Sequence, residues 1–144
     1  MIFFGANDAS LPEAQGNQHV PIPRYKGNLT KIINHPAVVA HKPRIVLVAP
    51  PPVNEYLIWI GDKAKGYDKP SRTAIGTKSY ADAACELGKE LGIPVLNLWN
   101  AFMSKTGWSI GEPVPGSLDI AQNSRLVDLM HDGKFCHNES TSSG

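Results

Sequence analysis

Five apolar residues, Ile45-Val46-Leu47-Val48-Ala49, run straight into Pro50-Pro51-Pro52. A continuous β-branched run has no solvent face, so it predicts a strand buried on both sides, as in a parallel sheet. Proline cannot donate to a β-ladder, so the strand ends where the prolines begin. Two further apolar runs flank it in sequence: Ile2-Phe3-Phe4, halted by Gly5, and Val95-Leu96-Asn97-Leu98-Trp99. Between the first pair of runs, Tyr25, Leu29, Ile32 and Ile33 fall on one helical face, with Pro23 suited to the start and Pro36 to the stop. Between the second pair, Tyr80, Ala84, Leu87 and Leu91 are spaced as a second amphipathic helix, with Gly92 as its C-cap and Pro94 beyond. The order strand, helix, strand, helix, strand predicts right-handed βαβ units and a three-layer α/β sandwich.

The turn after the first strand concentrates the polar chemistry. Gly5-Ala6-Asn7-Asp8 places an amide and a carboxylate at the carboxyl end of a strand, where open α/β sheets bind ligands. An asparagine there can donate two N–H bonds without carrying charge, which suits an oxyanion. The plainer reading is an Asn-Asp turn that hydrogen-bonds its own backbone. Residues 9–24 follow as a proline-punctuated loop containing His19, read either as a substrate contact or as a locally packed polar residue.

Residues 53–76 are ambiguous. Tyr56–Ile60 are apolar, Gly61-Asp62 interrupts them, and the segment reads as a lid, the wall of an acyl pocket, a partner contact, or a short packed helix. Gly61-Asp62-Lys63-Ala64-Lys65-Gly66 lacks the Gly-Lys-Ser/Thr ending of a phosphate loop. Asn97 and Asn100 are read as residues that satisfy backbone before substrate. Residues 104–117 read as loop, Leu126, Leu129 and Met130 as a last short helix, and 134–144 as a polar, disordered tail.

Several of these segments resemble the SGNH, or GDSL-type, ester hydrolases. Gly5-Ala6-Asn7-Asp8 is similar to the family's third signature block. Gln18-His19-Val20-Pro21 continuing to Tyr25-Lys26-Gly27-Asn28-Leu29, Ala49-Pro50-Pro51-Pro52-Val53-Asn54-Glu55, and Tyr80-Ala81-Asp82-Ala83-Ala84 continuing to Gly92-Ile93-Pro94-Val95 resemble the isoamyl-acetate-hydrolysing esterase branch. The resemblance covers about residues 2–133, and residues 1–133 are taken as a partial hydrolase domain. It implies a flavodoxin-like αβα sandwich whose third to fifth strands are those above, with the central strand among the two not present. It also implies acyl transfer by a Ser-His-Asp triad on small acetate-type esters, without metal or cofactor. By that likeness Asn7 is the oxyanion donor, Gly5 permits the tight turn at the substrate, and Asp132 is the triad carboxylate.

The match has gaps. No Gly-Asp-Ser nucleophile block occurs in the 144 residues, and Asp132-Gly133-Lys134-Phe135 has Phe where Asp-x-x-His has its base. The expectation is an incomplete, inactive hydrolase chain with an altered last block. The alternative is a non-catalytic α/β binding or interaction module. Ser10, His19 and His137 are the substitutes to inspect for a nucleophile and base.

Composition closes off other classes. A formal charge of +1 without a basic block speaks against a nucleic-acid partner. No apolar run approaches the roughly 18 residues of a membrane span. Met1-Ile2-Phe3-Phe4 has no charged n-region, so it is not read as a signal peptide, and Cys85 and Cys136 fit a reducing compartment. Both point to the cytoplasm. Apolar Ile2–Phe4 at a sheet edge predicts self-association.

Overall fold

A computed structural model of the chain describes residues 1–16 and 18–131. Three parallel strands, β1 (Ile2–Phe3), β2 (Leu47–Ala49) and β3 (Val95–Asn97), form one sheet in the order β1-β2-β3. Register pairs Ile2 with Leu47 and Phe3 with Val48, then Leu47 with Val95, Val48 with Leu96 and Ala49 with Asn97. Paired residues share a face. Leu47 and Ala49 point into the core, among Tyr25, Leu29 and Ile33 of α1 (Ile22–Ile33) and Tyr80, Ala84 and Leu87 of α4 (Ala74–Leu91). The opposite face carries buried Val48 flanked by Phe3, 39% exposed, and Leu96, 49% exposed. One face is therefore covered and the other is covered only at its centre. The remaining helices are α2 (Pro36–Ala40), α3 (Glu55–Ala64), α5 (Leu98–Thr106) and α6 (Ser124–His131). The α/β class, the parallel sheet and its incompleteness are as expected.

Several boundaries differ from expectation. Phe4 lies outside β1, and Ile45 and Val46 precede β2, although the Ile2 N–H donates to the Val46 carbonyl at 2.9 Å. Ile32 is 38% exposed, so α1 buries only Tyr25, Leu29 and Ile33. Pro36 does not merely stop a helix. It opens α2, where the His35 ring accepts the Ala37 N–H at 3.3 Å. Gly61-Asp62 does not break the run 56–60 but lies within α3. Of the readings of that segment, the short packed helix is the observed one. Asn54 caps it, accepting from the Tyr56 and Leu57 N–H groups. α4 starts well before Tyr80, because Thr73 caps it by accepting the Gly76 N–H at 3.0 Å. The third strand stops at Asn97, which turns the chain into α5 by accepting the Asn100 N–H at 2.9 Å. Residues 104–106 belong to that helix rather than to a loop.

Two features hold the layers in place. Gly92, at φ 65°, ends α4 as expected, and the Ile93 N–H reaches back to the Gly88 carbonyl at 2.8 Å. A Cβ on Gly88 would lie 2.1 Å from Val95 Cγ2, so only glycine lets α4 approach β3 this closely. The second feature is Glu55, which is 7% exposed. Its Oε1 accepts the Ala74 N–H at 2.7 Å, its Oε2 accepts the Leu118 N–H at 3.1 Å, and its own N–H donates to the Gly116 carbonyl at 2.8 Å. One carboxylate thus joins the start of α3, the start of α4 and the loop before α6, with its charge at a helix N-terminus.

Candidate functional site at the carboxyl edge of the sheet

The turn at residues 5–8 is built around a glycine that must be one. Gly5 has φ +116°, and a Cβ there would meet Tyr25 Oη at 2.9 Å and Pro50 Cγ at 3.1 Å. The carboxyl ends of β1 and β2 are therefore pressed together at this point. Asp8 Oδ2 accepts the Gly5 N–H at 3.0 Å, and the Ala9 N–H donates to the Gly5 carbonyl at 3.0 Å. The Tyr25 hydroxyl, whose pKa burial and then the Asp8 charge push up, donates to the Phe4 carbonyl at 3.1 Å. Asp8 is thus the self-bonded turn residue of the plainer sequence reading.

Asn7 is different. Its side chain is exposed, and its Oδ1 accepts from Arg72 Nη2 at 2.8 Å. The same Nη2 donates to Gln18 Oε1 at 2.9 Å. Among the described residues Asn7 Nδ2 has no acceptor. Arg72 itself is placed by an antiparallel bridge with Ser10, by the Leu11 N–H donating to the Ser71 carbonyl at 2.8 Å, and by the Ser71 N–H donating to Asp62 Oδ2 at 2.7 Å. Sequence reasoning missed Arg72, since nothing local marks one arginine before a helix cap as a partner of a turn 65 positions away.

The other candidates separate. Ser10 is buried, and the atom facing His19 Nδ1, at 2.6 Å, is its backbone carbonyl rather than its hydroxyl. The pair therefore does not have a nucleophile–base contact, and His19 is the locally packed residue. The Asn97 side chain serves the start of α5, where it accepts the backbone N–H of Asn100. Asp132 and His137 lie outside the described residues, as do Cys136 and residues 134–144. A surface hollow lined by Cys85, Gly88, Lys89, Ile93 and Val95 sits at the opposite, amino end of β3. Among the described residues no group of three or more His, Cys, Asp or Glu could hold a metal ion, and no helix is long and apolar enough to cross a membrane.

No family model matches the sequence. Individual relatives do. A GDSL esterase/lipase of Arabidopsis thaliana is 39% identical over 114 residues, 74% of this chain and 46% of the relative. An isoamyl acetate-hydrolyzing esterase 1 homolog of Rattus norvegicus is 34% identical over 99 residues, 68% of this chain and 39% of the relative. The Bos taurus homolog is 32% identical over 131 residues, 90% of this chain and 52% of the relative. The chain spans about half the length of the curated relatives it matches. Among solved structures, the lipase/acylhydrolase from Enterococcus faecalis aligns with TM-score 0.51 at 27% identity, covering 72% of this chain and 43% of that one.

Proposed function

The chain belongs to the SGNH, or GDSL-type, ester hydrolase family, and from that premise we propose that its Gly5–Asp8 turn is the oxyanion-binding part of a carboxylic ester hydrolase site for small acetate-type esters. The observation that carries this reading is the state of Asn7. Its amide oxygen is occupied by Arg72 while its amide nitrogen has no acceptor among the described residues, on an exposed residue at the carboxyl edge of a parallel sheet. In the proposed mechanism a serine attacks the ester carbonyl, a histidine takes its proton, and a carboxylate, Asp132, orients the histidine. The negative charge that develops on the carbonyl oxygen is met by N–H donors, of which Asn7 Nδ2 is one. Gly5 permits the turn that brings Asn7 to that oxygen.

The same reading holds that the 144 residues do not turn over ester by themselves. They contain no Gly-Asp-Ser, and Phe135 stands in the base position. Hydrolysis of a short-chain acyl ester by the purified chain is expected to run at the buffer rate. Turnover above buffer that falls by about 10²–10³ in Asn7→Ala would overturn the inactive reading and place a nucleophile within these residues.

A second reading, an interaction module, is favoured by the sheet edge. Phe4 is 53% exposed beside the unpaired side of β1. An apolar open edge is a template for another strand. Sedimentation at rising concentration is expected to show association, and Phe4→Lys to shift the chain towards monomer. A wild-type chain that stays monomeric across the range rules this reading out.

A further inference from the structure

We infer that Arg72 is a positioning residue that fixes the orientation of the Asn7 amide and strengthens it as an anion donor. The inference rests on the proposed role of Asn7 and goes one step deeper into that site. A carboxamide is nearly symmetric in shape, so packing alone does not decide whether its oxygen or its nitrogen faces a ligand. A guanidinium decides it chemically. Arginine has five N–H donors and no acceptor, so the Asn7 atom held 2.8 Å from Arg72 Nη2 must be the oxygen. Nδ2, with both hydrogens, is then the free donor of the pair, with no acceptor among the described residues, in the turn that follows β1.

The cation does more than orient. Electron density drawn towards Oδ1 leaves the Nδ2 hydrogens more positive, and a donor polarised in this way binds an anion more strongly. Gln18 has a supporting part. Its Oε1 takes the second hydrogen of the same Nη2 at 2.9 Å, which holds the guanidinium in the plane where it meets Asn7. The backbone of Arg72 is fixed separately by the Ser10 bridge and the Ser71–Asp62 bond, so the side chain can be changed while its anchor stays.

The test is the side-chain amide spectrum of Asn7 in the 144-residue chain, assigned by its loss in Asn7→Ala. Wild type is expected to show Nδ2 signals displaced from those of a free asparagine side chain and side-chain couplings of one rotamer. Arg72→Met should collapse these to averaged values while the backbone amide spectrum away from the turn stays unchanged. Arg72→Lys, which keeps the charge but not the fork, should fall between them. Methylphosphonate, a tetrahedral oxyanion, is then titrated against each form. Wild type should show saturable movement of the Nδ2 signals, with affinity about threefold to tenfold weaker in Arg72→Met. If the rotamer is the same in Arg72→Met and wild type, or if methylphosphonate binds both equally, the positioning role is overturned. A clamped rotamer with no response to methylphosphonate keeps the clamp and overturns the reading of Asn7 as an anion donor. Loss of the folded spectrum in Arg72→Met moves the decision to Arg72→Lys, where wild-type couplings and affinity would overturn the inference.

Discussion

Glu55→Ala is expected to lower the stability of this chain by about 3 kcal/mol, from the loss of two charge-assisted hydrogen bonds worth roughly 1.5–3 kcal/mol each, offset by rehydration of the freed groups. The carboxylate is 7% exposed and accepts from backbone groups 19 and 63 positions along the chain. Truncation strands the Ala74 N–H at the start of α4 and the Leu118 N–H in the loop before α6. It also removes the negative charge from a helix N-terminus, which is unfavourable in its own right. Glu55→Gln keeps the shape but offers one accepting oxygen and turns an NH₂ towards a backbone N–H. Its cost is expected at about half that of alanine. Urea unfolding gives the answer as a lowered midpoint with an unchanged slope. An unfolding free energy for Glu55→Ala within about 0.5 kcal/mol of wild type, the range of an ordinary surface change, would show that the carboxylate does not hold these segments together.

Gly5→Ala comes next in size. At φ +116° an L side chain is strained by about 1–3 kcal/mol wherever it sits. The added Cβ would also stand 2.9 Å from Tyr25 Oη and 3.1 and 3.3 Å from Pro50 Cγ and Cδ. Tyr25 cannot retreat without breaking its bond to the Phe4 carbonyl, and the Pro50 ring is tied to its own backbone at the end of β2. The total is expected at about 3 kcal/mol. The turn is expected to shift with it, so the Asn7–Arg72 bond should be lost as well. Gly61→Ala is the control. It sits in helix α3 with nothing within 4 Å of an added Cβ, so it should stabilise by about 0.5–1 kcal/mol. Equal effects at the two positions would mean that Gly5 is a matter of composition rather than geometry.

These two residues mark what the sequence makes legible and what it hides. Gly5 is visible because an apolar run, a glycine and an Asn-Asp pair are contiguous. The parallel sheet is visible for the same reason, since five apolar residues and three prolines are a local signal. Ends of elements are less so. Asn97 is drawn into the third strand by its apolar neighbours, but its side chain caps α5 and the strand stops there. Gly61-Asp62 looks like a break because glycine lowers helix propensity. The helix continues because Asn54 caps its start and Asp62 takes a buried N–H from Ser71. Glu55 and Arg72 are illegible for a different reason. Each acts on groups dozens of positions away, and no periodicity marks either. Of the candidate site, Gly5 and Asn7 lie in one turn after β1, Ser10 and His19 meet only through a carbonyl, and Asp132 lies outside the described residues.

The bridge between Ser10 and Arg72 has a consequence in time. The turn at residues 5–8 is short and looks self-sufficient, and its Asp8 bond can form as soon as those residues exist. Its Asn7 side chain waits on a residue 65 positions later. Bringing such distant residues together costs loop-closure entropy that no local contact repays in advance. On a ribosome making roughly 5–20 residues per second, several seconds separate the synthesis of the two. Throughout that interval the turn exists without its arginine, and the site, although written in the first few residues of the chain, is assembled late.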